Sequence, residues 1–325
     1  MEIKYIDLFC GIGGFRIAMS QISKKWDILS KCVFSSDIDP NARKSYNANF
    51  NDEPEGDITK INAYSIPDHD ILFAGFPCQP FSIIGNGNGF QDARGTLFFD
   101  IARILEAKRP LCFVLENVKR LVSHNEGRTL KRILESLRHL GYRVDYKVLN
   151  ALDYGLPQKR ERVFIVGYRL PVPFIWPVKL NTRKMLKEIL ELAVDSKYYA
   201  SINIQTKRKT RHVATETPSI WHENKAGNIC SYPYSCALRA GASYNYLLVN
   251  GERRLTPREM LRLQGFPDSF KIVVTDSQIR QQAGNAVPVT LVSVVLDSLL
   301  PILIEQKQKE QDMDNGKLAS TAHSR

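Results

Sequence analysis

The chain has 325 residues, of which 43% are hydrophobic and 24% are charged, so it is neither fibrous nor intrinsically disordered and can bury a large core. Lysine and arginine total 45 against 34 aspartate and glutamate, and the formal net charge of +11 favours a polyanionic partner. Residues 305–325 carry equal numbers of acidic and basic side chains, so the excess positive charge belongs to the folded body.

The cysteines and the apolar runs indicate in which cellular compartment the protein is expected. There is no C-x-x-C pair, which argues against a zinc cluster and against a dense disulfide framework. The first 15 residues lack the basic and then hydrophobic order of a leader, and no apolar run reaches membrane-spanning length. We therefore expect a soluble cytoplasmic protein with reduced thiols and no bound metal. The six cysteines are Cys10, Cys32, Cys78, Cys112, Cys230 and Cys236.

Short apolar runs alternate with helical patterns through the first half of the chain. This rhythm predicts an α/β fold with a mostly parallel sheet. Two amphipathic helices are predicted at residues 96–108 and 129–140, stopped by Pro110 and Gly141. The predicted strands are residues 5–9, 32–34, 71–74, 111–115 and 163–166.

The rhythm changes after residue 167. Residues 168–271 are richer in proline, asparagine, serine and tyrosine, and their first helical pattern lies around residues 183–193. We interpret this stretch as a second, irregular domain. A helical pattern returns at residue 277, and residues 290–303 are apolar enough to pack back on the first sheet.

A glycine-rich turn follows the first predicted strand. Gly11, Gly13 and Gly14 allow a tight turn and a close backbone approach to a nucleotide-like ligand, although glycines here can also serve only as a turn. Asp37 follows the next strand, where a carboxylate can accept from ribose hydroxyls, and Asp57 could accept from an adenine amino group. Solvated turn aspartates would explain both equally well.

Cys78 follows the third predicted strand, in the sequence Gly-Phe-Pro-Cys-Gln-Pro-Phe-Ser. The prolines stiffen the segment, and a thiol at this edge of an α/β sheet faces the crevice where substrates bind. Glu116 ends the next apolar run, where a carboxylate is expensive to bury unless it is paired or in use. Neighbouring parallel strands would bring Glu116 close to Cys78. A lone cysteine is otherwise more often a core residue.

Two arginines precede the last strand of this series. Arg160 and Arg162 alternate, so both can point to the same side, toward the crevice, although a charged loop entering a strand would look the same. Residues 254–268 read as a short structural helix started by Pro257. Residues 281–288 form a polar turn, in which Asn285 alone would be interpreted as a helix cap.

Together these segments resemble the bacterial DNA cytosine-5 methyltransferases of restriction-modification systems. The resemblance runs in order from residue 5 to about residue 289, interrupted at residues 168–250. It implies a Rossmann-like S-adenosylmethionine-dependent methyltransferase domain and a smaller, irregular target-recognition domain, with a cytosine flipped out of double-stranded DNA between them. We assign residues 1–175 plus 276–304 to the first domain, 176–275 to the second and 305–325 to a disordered tail.

The resemblance also assigns roles. Cys78 matches the catalytic cysteine, Glu116 the carboxylate of a Glu-Asn-Val motif, and Arg160 and Arg162 the arginines that steady the flipped base. Residues 79–96 match the mobile loop that closes on DNA. The positions that match cofactor contacts are Gly11, Gly13, Gly14, Phe15, Asp37, Asp57, Leu97 and Asn285.

The chain departs from the family pattern at three places. Ile38 stands where some members stack an aromatic ring on adenine, and Ile84 where a small polar residue can fill the gap left by the flipped base. Ala237 replaces the threonine of a usual Thr-Leu pair. The first two departures concern cofactor affinity and support of the orphan guanine.

The predicted chemistry begins with addition of the Cys78 thiolate to cytosine carbon 6, which makes carbon 5 nucleophilic toward the sulfonium methyl. Glu116 bonds ring N3, and the two arginines favour the thiolate. No side chain was identified as the base that removes the carbon 5 proton. A monomer paired with a restriction endonuclease is expected.

Target reading is placed in the second domain. Lys207, Arg208 and Lys209 are expected to bind phosphates, and residues 221–246 to read base edges, whereas the target sequence itself cannot be read from the chain.

Three alternative functions account less well for the residues present. A tRNA methyltransferase of the same fold would carry a Cys-Phe-Thr signature, which is absent. A nicotinamide dehydrogenase would leave Cys78 and Glu116 unexplained. A DNA-binding regulator with a dead active site would not need Cys78, Glu116 and both arginines.

Overall fold

The computed structural model of the protein describes residues 1–77, 97–180 and 182–322. Its strands are β1 (Glu2–Leu8), β2 (Leu29–Ser36), β3 (Ile71–Gly75), β4 (Cys112–Val118), β5 (Arg143–Asn150), β6 (Gln158–Lys159), β7 (Glu161–Tyr168), β8 (Ile220–Glu223), β9 (Ile229–Tyr232), β10 (Ser235–Cys236) and β11 (Leu247–Val249). Its helices are α1 (Gly14–Lys25), α2 (Pro40–Phe50), α3 (Leu97–Lys108), α4 (Arg128–His139), α5 (Leu186–Ile189), α6 (Ile202–Arg211), α7 (Pro257–Leu263), α8 (Asp276–Asn285) and α9 (Val289–Ala322).

A six-stranded sheet in the order β2-β1-β3-β4-β7-β5 forms the centre of the molecule. The pairs β1–β2, β1–β3 and β3–β4 are parallel, whereas β7 is antiparallel to both β4 and β5. All five predicted apolar runs contribute to this sheet. The predicted α/β class is thus confirmed.

Helices cover both faces of the sheet. Successive strand residues point to opposite faces, so Tyr5 and Phe73 pack with α1 and α9, whereas Ile6 and Leu72 pack with α3 and α4. α3 and α4 begin within a residue of the predicted positions. The alternation of buried side chains therefore fixes which face of the sheet each strand residue packs on.

The sequence did not predict β5 or the reversed direction of β7. β5 is the edge strand of the sheet and leaves much of Arg143, Asp145 and Lys147 exposed, so it lacks the apolar run that marks the central strands. Only residues 151–160 connect β5 to β7. A parallel crossover needs about a dozen residues or more, and so the strands turn back on one another.

A three-stranded antiparallel sheet, β11-β8-β9, organises the second region. Its core contains Ile220, Leu247 and Leu186 and is separate from the two cores of the central sheet. α5 is shorter than the pattern predicted. α7 contributes to two cores, because Leu261 faces the central sheet and Leu263 faces the second region.

The long helix α9 differs from expectation at its end. Its stretch from Val289 to Leu303 is buried against α1 and the sheet, as predicted. The tail was expected to be disordered, but the helix continues to Ala322. Lys309 pairs with Glu305 at 2.6 Å along the helix, and Lys307 reaches Asp70 at 2.7 Å, so the first part of the tail is held by ion pairs.

Contrary to the expectation from the sequence, residues 276–310 are long and apolar enough to span a membrane by length and composition, and they are the single such stretch among the described residues. Of the most apolar window, 56% is buried inside the molecule. This stretch is apolar because α9 is buried against α1 and the central sheet.

Candidate active site

A cleft of about 900 Å³ opens at the carboxyl ends of β1, β3 and β4, the edge where open α/β sheets bind ligands. The end of α8 and its connection to α9 form the opposite wall. Gly13 and Arg160 are not among the lining residues. The predicted site residues that line the cleft are Gly11, Gly14, Phe15, Asp37, Asp57, Leu97, Glu116, Arg162 and Asn285.

The three glycines after β1 have different surroundings. At Gly11, with φ +54°, an added Cβ would meet nothing within 4 Å, so this backbone is open to the cleft. At Gly13, with φ +84°, a Cβ would overlap the ring of Phe50. At Gly14 a Cβ would lie 2.6 Å from Cγ1 of Val287. Gly11 alone offers open backbone, whereas the other two allow the turn to pack closely.

Asp37 ties the glycine turn to the end of β2. Its Oδ2 accepts from the Gly11 backbone N–H at 2.8 Å, and its Oδ1 accepts from that of Asp39 at 2.8 Å. Burial raises the pKa of Asp37, and the two backbone donors oppose that shift. Asp57 caps a short turn, where bonds from Thr59 lower its pKa. Both carboxylates are thus oriented acceptors in the cleft wall.

Apolar side chains supply the rest of the wall. Phe15 is buried and stacks on Phe73 with ring centroids 5.1 Å apart. Leu97 begins α3, Ile38 is 73% exposed at the cleft, and Asn285 is the exposed last residue of α8. Sequence reasoning passed over Phe9, which also lines the cleft with φ +54°. A phenylalanine at a strand end is typical of a core residue, so no signal singled it out.

Glu116 and Arg162 form a shielded ion pair in the cleft. The Arg162 Nε lies 2.9 Å from the Glu116 Oε1, with the two side chains 13% and 10% exposed. In the antiparallel register Arg162 stands opposite Val118, which places it diagonal to Glu116 on the same face. Burial raises the pKa of Glu116, and the two arginines act against that shift.

The segment that leads to Cys78 is fixed beside this pair. Gly75 pairs with Glu116 in the parallel register of β3 and β4. The buried Asn117 side chain donates from Nδ2 to the Phe76 carbonyl at 2.9 Å. Cys78 and the loop of residues 79–96, Ile84 included, lie outside the described residues. The described chain therefore brings Glu116 beside the residues that immediately precede Cys78.

Arg160 does not share the surroundings of Arg162. It is fully buried, and its guanidinium donates to the carbonyls of Leu238 at 2.8 Å, Gly284 at 2.9 Å and Ala286 at 2.8 Å. Both arginines had been expected to point into the crevice. The expectation fails for Arg160 because it lies between β6 and β7, where the alternation of one continuous strand does not apply.

The basic run in α6 is also not uniform. Arg208 is 2% exposed and bonds to Glu223 at 2.9 Å and to the Asn245 carbonyl. The expected phosphate role is therefore wrong for Arg208, which instead joins α6 to the three-stranded sheet. Lys209 pairs with Glu252, and Lys207 is exposed.

The model of the C-5 cytosine-specific DNA methylase family matches residues 3–300, and the chain belongs to this family. The type II methyltransferase M.NgoBI of Neisseria gonorrhoeae is 56% identical over 292 residues, 89% of this chain and 90% of that protein. M.HaeII of Haemophilus aegyptius, also a type II methyltransferase, is 51% identical over 302 residues, 92% and 93% of the two chains.

Solved structures agree in fold. The Dnmt2 methyltransferase of S. pombe covers 93% of this chain and 99% of its own, with a TM-score of 0.70 and 23% identity. The methyltransferase EhMeth of Entamoeba histolytica gives a TM-score of 0.72 with 19% identity over the same shares. The family match confirms the predicted methyltransferase, and relatives named as type II methyltransferases favour DNA over the tRNA alternative.

Proposed function

We propose that the protein transfers a methyl group from S-adenosylmethionine to carbon 5 of a cytosine flipped out of a specific double-stranded DNA sequence. One observation carries the proposal: the buried Glu116–Arg162 pair stands beside Gly75, three residues before Cys78, at the ligand-binding edge of the sheet. A shielded carboxyl and a guanidinium, beside the residues that precede a cysteine in the chain, supply the groups that nucleophilic attack on a pyrimidine requires.

The cleft fits the proposed cofactor. Gly11 presents open backbone, and Asp37 and Asp57 present oriented oxygens for ribose hydroxyls and an adenine amino group. Phe15 and Leu97 add apolar wall for the adenosine. When bound, S-adenosylmethionine supplies an electrophilic methyl group. Asn285, at the end of α8, is positioned as a further polar contact.

Cys78 starts the reaction. Its thiolate forms a bond to carbon 6 of cytosine, and the ring electrons released toward carbon 5 make that carbon the nucleophile for the methyl group. A base then removes the carbon 5 proton, and the bond between the Cys78 sulfur and carbon 6 breaks. Because Arg160 is committed to backbone carbonyls, support for the thiolate falls to Arg162 and the DNA-closed environment.

Glu116 acts at the opposite edge of the base. Burial raises the pKa of its carboxyl and so favours the protonated form relative to an exposed carboxyl, and this proton is proposed to bond ring N3 as negative charge develops there during thiolate addition. Arg162 holds the carboxyl in place through Oε1. Thus Arg162 orients the Glu116 carboxyl, and the Glu116 carboxyl orients the flipped cytosine.

The partners follow from the charge and the relatives. A net charge of +11 suits a DNA cleft, and relatives named as type II methyltransferases support pairing with a restriction endonuclease. Each chain carries one set of site residues, so we propose that a monomer acts on cytoplasmic DNA.

Expression from a plasmid in a host without cytosine-5 methylation tests the function. Bisulfite sequencing is expected to show one short sequence motif methylated throughout the plasmid. Plasmid DNA without any methylated motif would contradict the proposed function, and methylation of RNA instead would support the tRNA alternative.

The variant Cys78→Ser tests the covalent step. An alcohol is far less ionised than a thiol but nearly the same size, so methyl transfer should disappear while a gel-shift assay still detects DNA binding. The buried Cys112 of β4 provides a matched control, and Cys112→Ser should retain activity in proportion to the folded fraction. Substantial turnover by Cys78→Ser would contradict the covalent mechanism.

A further inference from the structure

A short two-stranded ladder joins the second region to the segment that leads into β7. β6 and β10 pair in parallel, with Ser235 opposite Gln158 and Cys236 opposite Lys159. The Ser235 N–H also donates to the Pro157 carbonyl at 2.8 Å. Two residue pairs are too few to hold a strand in place alone, so side chains must supply the remaining constraint.

Gln158 supplies part of that constraint. Its side chain is 0% exposed; Nε2 donates to the Leu263 carbonyl at 2.7 Å, and Oε1 accepts from the Leu238 N–H at 3.1 Å. One amide thereby bridges α7 and the segment after β10. Because both groups are buried, loss of this amide would leave the Leu263 carbonyl and the Leu238 N–H without partners.

Arg160 holds the other side of Leu238. Its Nη1 donates to the Leu238 carbonyl, and its Nη2 donates to the carbonyls of Gly284 and Ala286 in the cleft wall. The planar guanidinium fork suits several fixed acceptors at once, which a lysine cannot match. The N–H and the C=O of Leu238 are thus both held by side chains from the segment that leads into Arg162.

Close packing reinforces the junction. A Cβ on Gly284 would overlap the backbone nitrogen of Ala240, so the absence of a side chain lets α8 touch this segment directly. Arg239 lies between the two contact points, and its guanidinium stacks on Tyr246 at 4.9 Å from the ring centroid. Arg239 is exposed and has no carboxylate partner within ion-pair distance among the described residues.

We propose that Gln158 and Arg160 are positioning residues that clasp the backbone of Leu238, and that this clasp presents Arg239 to DNA in fixed register with the Glu116–Arg162 pair. The proposal deepens the proposed function and rests on it. The clasp binds main-chain atoms of the second region, and only one residue separates Arg160 from Arg162. The clasp therefore sets the position of the DNA-contacting segment relative to the catalytic pair.

Hydrogen exchange tests the clasp without reference to activity. In the free wild-type protein the Leu238 amide should exchange slowly although it lies outside the strands. Gln158→Met should speed exchange across residues 235–242 by about 10-fold or more. The matched control is Tyr142→Phe, which also removes one buried bond to a carbonyl, that of Pro110, but inside the central domain. It should leave these amides unchanged.

Kinetics test the coupling. Gln158→Met should raise KM for target DNA about 10-fold and increase methylation of sites that differ by one base pair, with kcat within about twofold. Arg239→Gln should raise KM similarly while leaving exchange at Leu238 unchanged.

Fast exchange of the Leu238 amide in the wild type, or unchanged exchange in Gln158→Met, would overturn the clasp. The wild-type measurement tests the clasp even if the variant fails to fold. If Gln158→Met alters exchange but has the same KM for DNA and the same fidelity as Tyr142→Phe, the coupling between the clasp and DNA binding would be overturned. Failure of the wild type to methylate any DNA would instead contradict the proposed function and leave the exchange result standing.

Discussion

At the scale of single residues, Glu116 shows how burial sets chemistry. Desolvation raises the pKa of its carboxyl, and the guanidinium at 2.9 Å limits that rise while fixing the orientation of the group. Burial thus makes the Glu116 carboxyl easier to protonate than a carboxyl in open solvent, in the direction that the proposed reaction needs.

The variant Glu116→Gln should keep the shape of the site and lower kcat by about 10²–10³-fold, because an amide cannot deliver a proton to N3. Single-turnover methyl transfer measures the effect. Glu161→Gln is the matched control, since Glu161 pairs with Lys119 on the exposed side of the sheet. Equal rates for Glu116→Gln and the wild type would remove Glu116 from the mechanism.

Asp7 is a second buried carboxyl, outside the proposed chemistry. It is 0% exposed, and burial raises its pKa well above the usual value. The folded state therefore binds this proton more tightly than the unfolded state. The stability that Asp7 contributes is highest below the unfolded pKa and is lost as pH rises through the folded pKa.

The variant Asp7→Asn lacks this titration. As the pH rises from 5 to 8, the free energy of unfolding of Asp7→Asn should increase by about 1–3 kcal/mol relative to that of the wild type. Urea unfolding at both pH values measures the change, with the exposed Asp27→Asn as control. Parallel stability curves for Asp7→Asn and the wild type would show that Asp7 does not titrate in this range.

At the scale of elements, the glycine turn between β1 and α1 combines two functions. Gly11 and Gly13 both have positive φ, so alanine is strained by about 1 kcal/mol at either position. They differ in what a side chain would meet, because Gly13 touches Phe50 and Gly11 faces the open cleft. Folding and ligand binding therefore depend on different glycines of the same turn.

Gly13→Ala should lower the melting temperature well beyond the effect of Gly11→Ala, since Phe50 must move to make room. Gly11→Ala should instead raise KM for S-adenosylmethionine with a smaller loss of stability. Thermal melts and methyl-transfer kinetics on both variants give the comparison. Equal loss of stability in the two variants would contradict this separation.

At the scale of the whole molecule, the residues that could be predicted are those whose signal is local. Apolar runs located the central strands, and a glycine turn or a carboxylate at a strand end located much of the cleft wall. β5 was missed because an exposed edge strand carries charges. Arg160 and Arg208 were misplaced because an arginine looks the same in sequence whether it meets DNA or buried carbonyls.

The arrangement of the second region determines which of its residues can be exchanged between relatives to change the DNA sequence that is recognised. β8, β9 and β11 form the scaffold of the second region, and Arg208 joins α6 to it through Glu223 and the Asn245 carbonyl. Trp221 and Tyr246 are buried in that scaffold. The exposed side chains between them are therefore free to differ among relatives without loss of the fold, which supports base reading within residues 221–246.

A chimera that takes residues 224–245 from a relative with another target should methylate the donor's sequence, with kcat within about threefold of the wild type. Gln158 and Arg160 hold main-chain atoms of Leu238, whose side chain is buried in the core of the second region, so the donor segment must keep an apolar residue at position 238. Bisulfite sequencing of plasmid DNA measures the target.

A control chimera of residues 202–211 that keeps Arg208 should weaken binding to all DNA and reduce its salt dependence, because exposed Lys207 suits phosphate contacts. If the chimera of residues 224–245 still methylates the original sequence, the bases are read elsewhere.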